Sequence, residues 1–277
     1  RMLDHDGDAG LLGGASTRAT ILFSDIRGFT TLSEEMGAQG TVAFLNEYFS
    51  LMVECIAREE GMLDKFIGDA VMAAFGLPIA HDDDEDRAVR AAIAMIRECQ
   101  RWSRERVLRG QKPVEMGVGL NTDMVVSGNI GSAKRMDYTL IGDGVNLASR
   151  LESACKSYSA QILISENTFS RLRGTYRIRN VDQVVVKGKT EPVGVFEVLD
   201  HHTDESFPNL MDVVSYFNEG MRNYRAGNFT NAIGQFEKAL VCHPKDKLST
   251  TYIERCRHLT SNPPDGEWNG VWVMTQK

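Results

Sequence analysis

The chain has 277 residues, 42% of them hydrophobic and 25% charged, a make-up with room for one large domain or for a medium domain with an appendage. Lys and Arg number 31 against 38 Asp and Glu, a net charge of −7, which argues against non-specific binding to nucleic acid or anionic lipid. No apolar run approaches the roughly 20 residues that span a bilayer, no signal peptide is evident, and the scattered cysteines lack disulfide or zinc spacing; a cytoplasmic setting without membrane contact is expected.

Residues 1–18 read as a glycine-rich lead-in to a domain excised from a longer protein, with a regulatory domain expected upstream. Residues 19–26, "ATILFSDI", read as a buried strand. Residues 33–60 predict a helix with Phe44, Leu45, Tyr48, Phe49, Met52 and Ile56 on one face. Residues 61–76 predict a hairpin that turns at Gly68 and Asp69. A second long helix is predicted over 82–107, and its opening run "DDDED" suits the positive end of the helix dipole as a solvated start, with cation binding as the weaker reading. Residues 114–131 read as a strand pair. Residues 137–156 run from a strand through a glycine turn into a helix. A strand at 161–165, a short helix and further strands over 176–200 follow. The order β-α-β-β-α-β predicts an α+β fold with a ferredoxin-like core within 19–200. An acidic, polar linker is expected at 201–208. Residues 209–260 read as helical, with Tyr216, Gly220, Ala232, Phe236, Ala239 and Pro244 at the spacing of one tetratricopeptide-like helix pair. One such pair cannot bury its own face, so it is expected to pack on the main domain or on a neighbour. Residues 261–277 are expected to form a docked, non-helical extension carrying two tryptophans.

The strand at 19–26 ends in a carboxylate, Asp25, and the hairpin carries another, Asp69. In a split βαβ core the first strand lies beside that hairpin, which brings the two acids to one edge of the sheet. Such oxygen ligands suit one or two magnesium ions that keep positions open for phosphate. The run "IRGFTT" after Asp25 leads backbone N–H groups into a helix N-terminus, a phosphate cradle. A displaced helix cap would explain Asp25 alone, and an ordinary turn residue would explain Asp69 alone. The pair favours the cation.

"FSDIRGFT", "KFIGDAVMAAFG" and "TLIGDGVNLASRLE" resemble the signature segments of class III nucleotidyl cyclases, in order, with the resemblance extending over residues 19–200. Within that family the chain is similar to bacterial, cyanobacterial-type adenylyl cyclases, in the subclass that includes the bicarbonate-responsive soluble enzymes of animals. The resemblance implies conversion of ATP to 3′,5′-cyclic AMP and pyrophosphate. It implies that Asp25, Asp69 and the Ile26 carbonyl hold two divalent cations, Mg2+ or Mn2+, with Ca2+ admissible at one position. It implies that Gly28, Phe29 and Thr30 face the β- and γ-phosphates, and that Lys65 contacts adenine N1. Thr139, where many members carry Asp, would read the exocyclic amine. Asn146 would orient the ribose, Arg150 would stabilise the transition state, and Lys187 would meet the terminal phosphates. In the family, the metal pair and the base-reading and transition-state residues come from opposite subunits. A head-to-tail homodimer with two-fold symmetry is therefore implied, with ATP and a second copy as partners.

The chemistry of the residue types agrees. Adenine offers a bare N1 acceptor, which a Lys donor matches, and an amine from which a Thr hydroxyl accepts. Guanine, with N1–H and O6, asks for an acceptor such as Glu at the first position. Asn146 and Arg150 lie four apart and share a helical face. Two other readings stay open at this point: a guanylyl cyclase on the same fold, and a degenerate cyclase domain kept as a dimerising module.

Overall fold

The computed structural model describes residues 15–132, 135–184, 192–264 and 266–271. The first strand, β1 (Ala15–Ile26), is apolar on both faces because both are covered. Leu22 joins Tyr48 and Met52 of α1 (Phe29–Arg58) and Met95 and Ile96 of α2 (Asp84–Leu108) in the larger core. Ile21, one residue away, turns to the opposite face with Val125 and Ala148, as the two-residue period of a strand requires. The hairpin β2 (Met62–Ile67) and β3 (Ala70–Phe75) lies against β1 on one side, and β4 (Met116–Ser132) lies on the other. The order β2-β3-β1-β4 is antiparallel throughout. With α1 and α2 as its crossovers, this is the ferredoxin-like arrangement.

The sheet then grows past β4. β5 (Arg135–Ile141) folds back on β4, and α3 (Asp143–Tyr158) crosses to β6 (Ile162–Ser165), which runs parallel to β4. A single turn of helix, α4 (Glu166–Phe169), precedes β7 (Ile178–Val184) and β8 (Val193–Val198), which complete the sheet in the order β6-β8-β7.

Two local expectations need correction. Residues 114–131 do not form a strand pair: β4 is one strand of 17 residues. Its polar middle, Asn121 and Thr122, is satisfied inside the protein and needs no turn. Asn121 donates to the Gly144 carbonyl at 2.9 Å and accepts from Ser165 Oγ at 2.6 Å, and Thr122 bonds Thr20 at 2.8 Å. The acidic opening of α2 is not solvated either, since Asp84, Glu85 and Asp86 are buried. Asp86 accepts from Arg173 N, Gly174 N and the Tyr176 hydroxyl at 2.8–3.0 Å and so ties down the loop before β7.

Among the described residues three helices follow the sheet: α5 (Leu210–Arg225), α6 (Phe229–Cys242) and α7 (Lys247–Ser261). They pack on the main domain. Phe217, Tyr224, Phe236, Tyr252 and Cys256 share one core with Leu151, Cys155 and Tyr158 of α3 and with Leu163 and Val195 of the sheet. Buried charges cross this seam. Arg179 of β7 pairs with Glu197 at 2.6 Å and with Asp246, the cap of α7, at 3.0 Å. Arg255 of α7 pairs with Asp182 at 2.9 Å. The segment 201–208 is held too: His201 and Phe207 are buried, and Arg177 donates to the Asp200 and His202 carbonyls at 3.2 and 3.1 Å. Trp268 docks by donating to the Tyr224 carbonyl at 2.8 Å, while Trp272 lies outside the described residues. Among the described residues no helix is long and apolar enough to cross a membrane.

The α5–α6 contact rests on a missing side chain. A Cβ on Gly220 would sit 2.5–2.8 Å from the Phe236 ring, so the helices touch only because residue 220 is glycine. Gly220→Ala is expected to destabilise the protein by about 1–3 kcal/mol through overpacking. Urea denaturation followed by circular dichroism reads this as a lower midpoint at unchanged slope.

Candidate active site

Asp25 stands one residue from the end of β1, on the face shared with Ile21 and Phe23. Asp69 occupies the β2–β3 turn after Gly68. The sheet brings them together: the single N–H of Ile26 donates to Asp25 Oδ1 at 2.9 Å and to Asp69 Oδ2 at 3.1 Å. Two carboxylates thus share one donor in a half-buried place. The Asp25 carboxyl is pushed up from 3.8 to about 7, first by burial, then by the closeness and charge of Asp69 and by the charge of Glu152, against the Ile26 N–H. An oxygen-only pair under mutual repulsion is a donor set that a hard divalent cation relieves. Among the described residues no cluster of three or more His, Cys, Asp or Glu forms a self-contained metal site, so carbonyl and phosphate oxygens would have to complete the coordination.

The chain leaves this pair through Arg27, whose N–H is fixed on the Glu115 carbonyl at 2.8 Å, and turns into α1 at Gly28. Gly28 has φ +64° and caps the helix without a side-chain bond, so no capping side chain satisfies the first N–H groups of α1. The Phe29 ring packs toward Phe44, with centroids 6.1 Å apart, and Thr30 is exposed. The Phe29 ring is therefore engaged by the core, and only its backbone is open to a ligand role.

A second cluster sits on β2 and β5. Lys65 Nζ donates to Thr139 Oγ1 at 2.8 Å, and Thr139 Oγ1 donates to Asp64 Oδ2 at 3.3 Å. Asn146 and Arg150 lie on the exposed side of α3, whose other side buries Leu147, Leu151 and Cys155. Among the described residues no hydrogen bond or ion pair joins the Asp25–Asp69 pair to Lys65, Thr139, Asn146 or Arg150. Lys187 lies outside the described residues.

Sequence reading alone gave no role to three neighbours of these groups. Glu152 is buried on α3, with its side chain 3.6 Å from Arg27. Burial pushes its carboxyl up, Arg27 opposes, and Asp69 adds to the rise. A signal existed: Glu152 falls in phase with the apolar stripe Leu147, Ala148, Leu151 and Cys155, where a charge is out of place. Arg27 lies over Gly117, where a Cβ would meet its guanidinium at 2.3 Å. Asp64 is the third.

The sequence pattern described as the adenylate and guanylate cyclase catalytic domain matches residues 14–198. The chain belongs to the adenylate and guanylate cyclase family. The cyclase match closes at the end of β8, just before the three helices. A Dictyostelium discoideum protein named "Adenylate cyclase, terminal-differentiation specific" is 38% identical over 246 residues, covering 86% of this chain and 11% of its own length. A match of that extent has to run past residue 198 into the helices. Among solved structures, the adenylyl cyclase CyaB from P. aeruginosa is 40% identical with a TM-score of 0.63, covering 70% of this chain and 99% of that one. The guanylyl cyclase Cya2 is 37% identical with a TM-score of 0.62, covering 68% of this chain and 94% of that one. The chain spans 11%, 38% and 29% of the length of three curated relatives named as adenylate cyclases, from Dictyostelium discoideum, Anabaena cylindrica and Rhizobium meliloti.

Proposed function

We propose that this chain is the catalytic portion of an adenylate cyclase, converting ATP to 3′,5′-cyclic AMP and pyrophosphate at sites shared between two copies. The observation that carries the choice of ATP is the 2.8 Å bond between Lys65 and Thr139. It puts a donor for adenine N1 beside an acceptor for the adenine amine. Asp25, Asp69 and the Ile26 carbonyl would hold two divalent cations, Mg2+ or Mn2+; when bound, these lower the pKa of the attacking 3′-hydroxyl and cover charge on the leaving pyrophosphate. The uncapped start of α1 at Gly28, Phe29 and Thr30 receives phosphate oxygens. Lys187 meets the terminal phosphates, and Asn146 orients the ribose. As the 3′-oxygen attacks the α-phosphorus in line, Arg150 presents a planar cationic fork to the developing charge.

A two-fold homodimer, with the metal end of one subunit facing the base-reading end of the other, assembles two such sites. It is supported by apolar side chains left exposed around the base-reading cluster: Phe66, Ile67, Met124, Val126, Tyr138 and Ile141. The α5–α6 pair, joined at Gly220 and Phe236, fits a single tetratricopeptide-like unit braced on the catalytic core. A cytoplasmic setting fits the ATP substrate and the free cysteines.

The 37% identity to a guanylyl cyclase structure keeps GTP as the second reading. The test is incubation with ATP or GTP plus Mg2+ or Mn2+, reading cyclic nucleotide by chromatography. Cyclic AMP is the expected product; cyclic GMP from GTP alone, or no product from either, overturns the proposal. In the double variant Lys65→Glu, Thr139→Cys, preference is expected to move toward GTP. Retained activity with unchanged preference would place base choice elsewhere.

Thr139 also aligns the chain with the bicarbonate-responsive members. An anion that favours the closed dimer cleft over the open one would raise kcat, and one that binds both equally would change nothing. Bicarbonate is expected to raise kcat at clamped pH and ionic strength where chloride does not; equal rates in the two salts would remove this regulation.

A further inference from the structure

Asp64 is out of place for a strand residue. Its side chain is wholly buried, with 0% exposure, and Oδ1 has no hydrogen-bond partner among the described residues. A buried carboxylate with an idle oxygen is a standing cost to the fold. Its neighbours explain what it touches. In a regular strand Asp64 and Lys65 would point to opposite faces. Here the register of β2 on β3 slips between Leu63 and Lys65, and the extra residue of the bulge lets both side chains converge on Thr139. Lys65 Nζ lies 3.4 Å from Asp64 Oδ2 as well as 2.8 Å from Thr139 Oγ1.

With Asp64 paired to Lys65 as carboxylate to ammonium, 3.4 Å apart, the hydrogen-bond inventory of this triad has one solution. A hydroxyl has one proton and two acceptor lobes. An ionised carboxylate only accepts, so Asp64 takes the Thr139 proton, across 3.3 Å. An ammonium only donates, so Lys65 fills one lobe. What Thr139 has left for a ligand is a single acceptor and no donor. We propose that Asp64 is a specificity-determining positioning residue: it turns the Thr139 hydroxyl, by nature either donor or acceptor, into an obligate acceptor that fits the amine of adenine and opposes the carbonyl of guanine. The proposal rests on the reading of Lys65 and Thr139 as the base-reading pair.

Asp64→Asn tests it in the full chain, with kcat and KM measured for both ATP and GTP. The asparagine amide can donate to Thr139 Oγ1 and release the hydroxyl proton toward a guanine O6. The ratio of kcat/KM for ATP over GTP is expected to fall on the order of 10-fold, mainly through KM for ATP. Thr139→Val supplies the control. It should lower the same ratio, and adding Asp64→Asn to it should lower it no further, because Asp64 acts through the hydroxyl. Affinities for 3′-deoxy-ATP and 3′-deoxy-GTP, measured by calorimetry, read the same preference if the asparagine variant is folded but slow. Asp64→Ser replaces it if the variant does not accumulate as folded protein.

A purely structural Asp64 would lower kcat for ATP and GTP alike, with a lower Tm and an unchanged ratio, and that result overturns the proposal. If Thr139→Val changes the ratio and Asp64→Asn does not, Asp64 is excluded while the base-reading pair stands. If Thr139→Val and Lys65→Glu both leave the ratio unchanged, the base-reading assignment falls and Asp64 falls with it.

Discussion

Asp25→Asn is expected to abolish cyclisation, by at least about 100-fold in kcat, while making the metal-free protein more stable at pH 8. The two effects have one cause. Asp25 and Asp69 are held against a shared N–H, at 2.9 and 3.1 Å, in an arrangement that repels itself unless a proton or a cation sits between them. The folded-state carboxyl titrates near 7 and not at its ordinary 3.8. The native state therefore holds this proton more tightly than the unfolded chain does. The corresponding stability is fully present below the ordinary value and is lost as pH rises through about 7. Asparagine removes the charge and with it the high-pH penalty. The same proton competes with the cation. The affinity for Mn2+ is expected to fall about 10-fold for each pH unit below 7 and to level off above it. Calorimetric Mn2+ titrations at pH 6, 7 and 8 measure this, and thermal melts of both proteins without metal measure the stability. A pH-independent Mn2+ affinity, or a variant that still cyclises ATP near the parent rate, would sink the assignment.

Arg150→Ala should be nearly as damaging, by a different signature. Arg150 is exposed on α3 and carries no part of the core, so the fold should be unaffected. If the guanidinium acts mainly on the charge that develops at the α-phosphorus, kcat should fall on the order of 10²–10³ with little change in KM. A rise in KM alone would reduce Arg150 to a ground-state contact. Mixing Arg150→Ala with Asp25→Asn sharpens the test. In a mixed dimer one site inherits both lesions, and the other combines intact Asp25 from one subunit with intact Arg150 from the other. Random pairing in a two-fold dimer would restore up to about a quarter of the parent activity. No recovery, with mixed dimers shown by mass spectrometry, would count against sites shared between subunits.

The meeting of Asp25 and Asp69 was legible in the sequence because each residue type was wrong for its surroundings. One Asp ends an apolar strand, the other sits in a glycine turn, and the βαββαβ order says that they meet. The wrong turns came where polar residues are answered by distant partners. Asn121 and Thr122 look like a turn until Gly144, Ser165 and Thr20 are seen to satisfy them. The acids that open α2 look solvated until Asp86 is seen holding the loop before β7. Asp64 was hidden for a further reason. A bulge is a property of the pairing between two strands, and the slip between Leu63 and Lys65 leaves no mark in the order of residues along either one.

The core shared by α3 and the three terminal helices has a consequence for genetics. The buried side of α3 is lined by Leu151, Cys155 and Tyr158, and Phe217, Tyr224 and Phe236 belong to the same cluster; the opposite side carries Asn146 and Arg150. A chain shortened to the borders of the family match would uncover that wall beneath the residues proposed to orient the ribose and to stabilise the transition state. Alleles that map to residues 210–261 and lower cyclic nucleotide output would therefore mimic regulatory lesions while acting on folding. Sorting the two kinds requires protein abundance to be scored beside product in any screen.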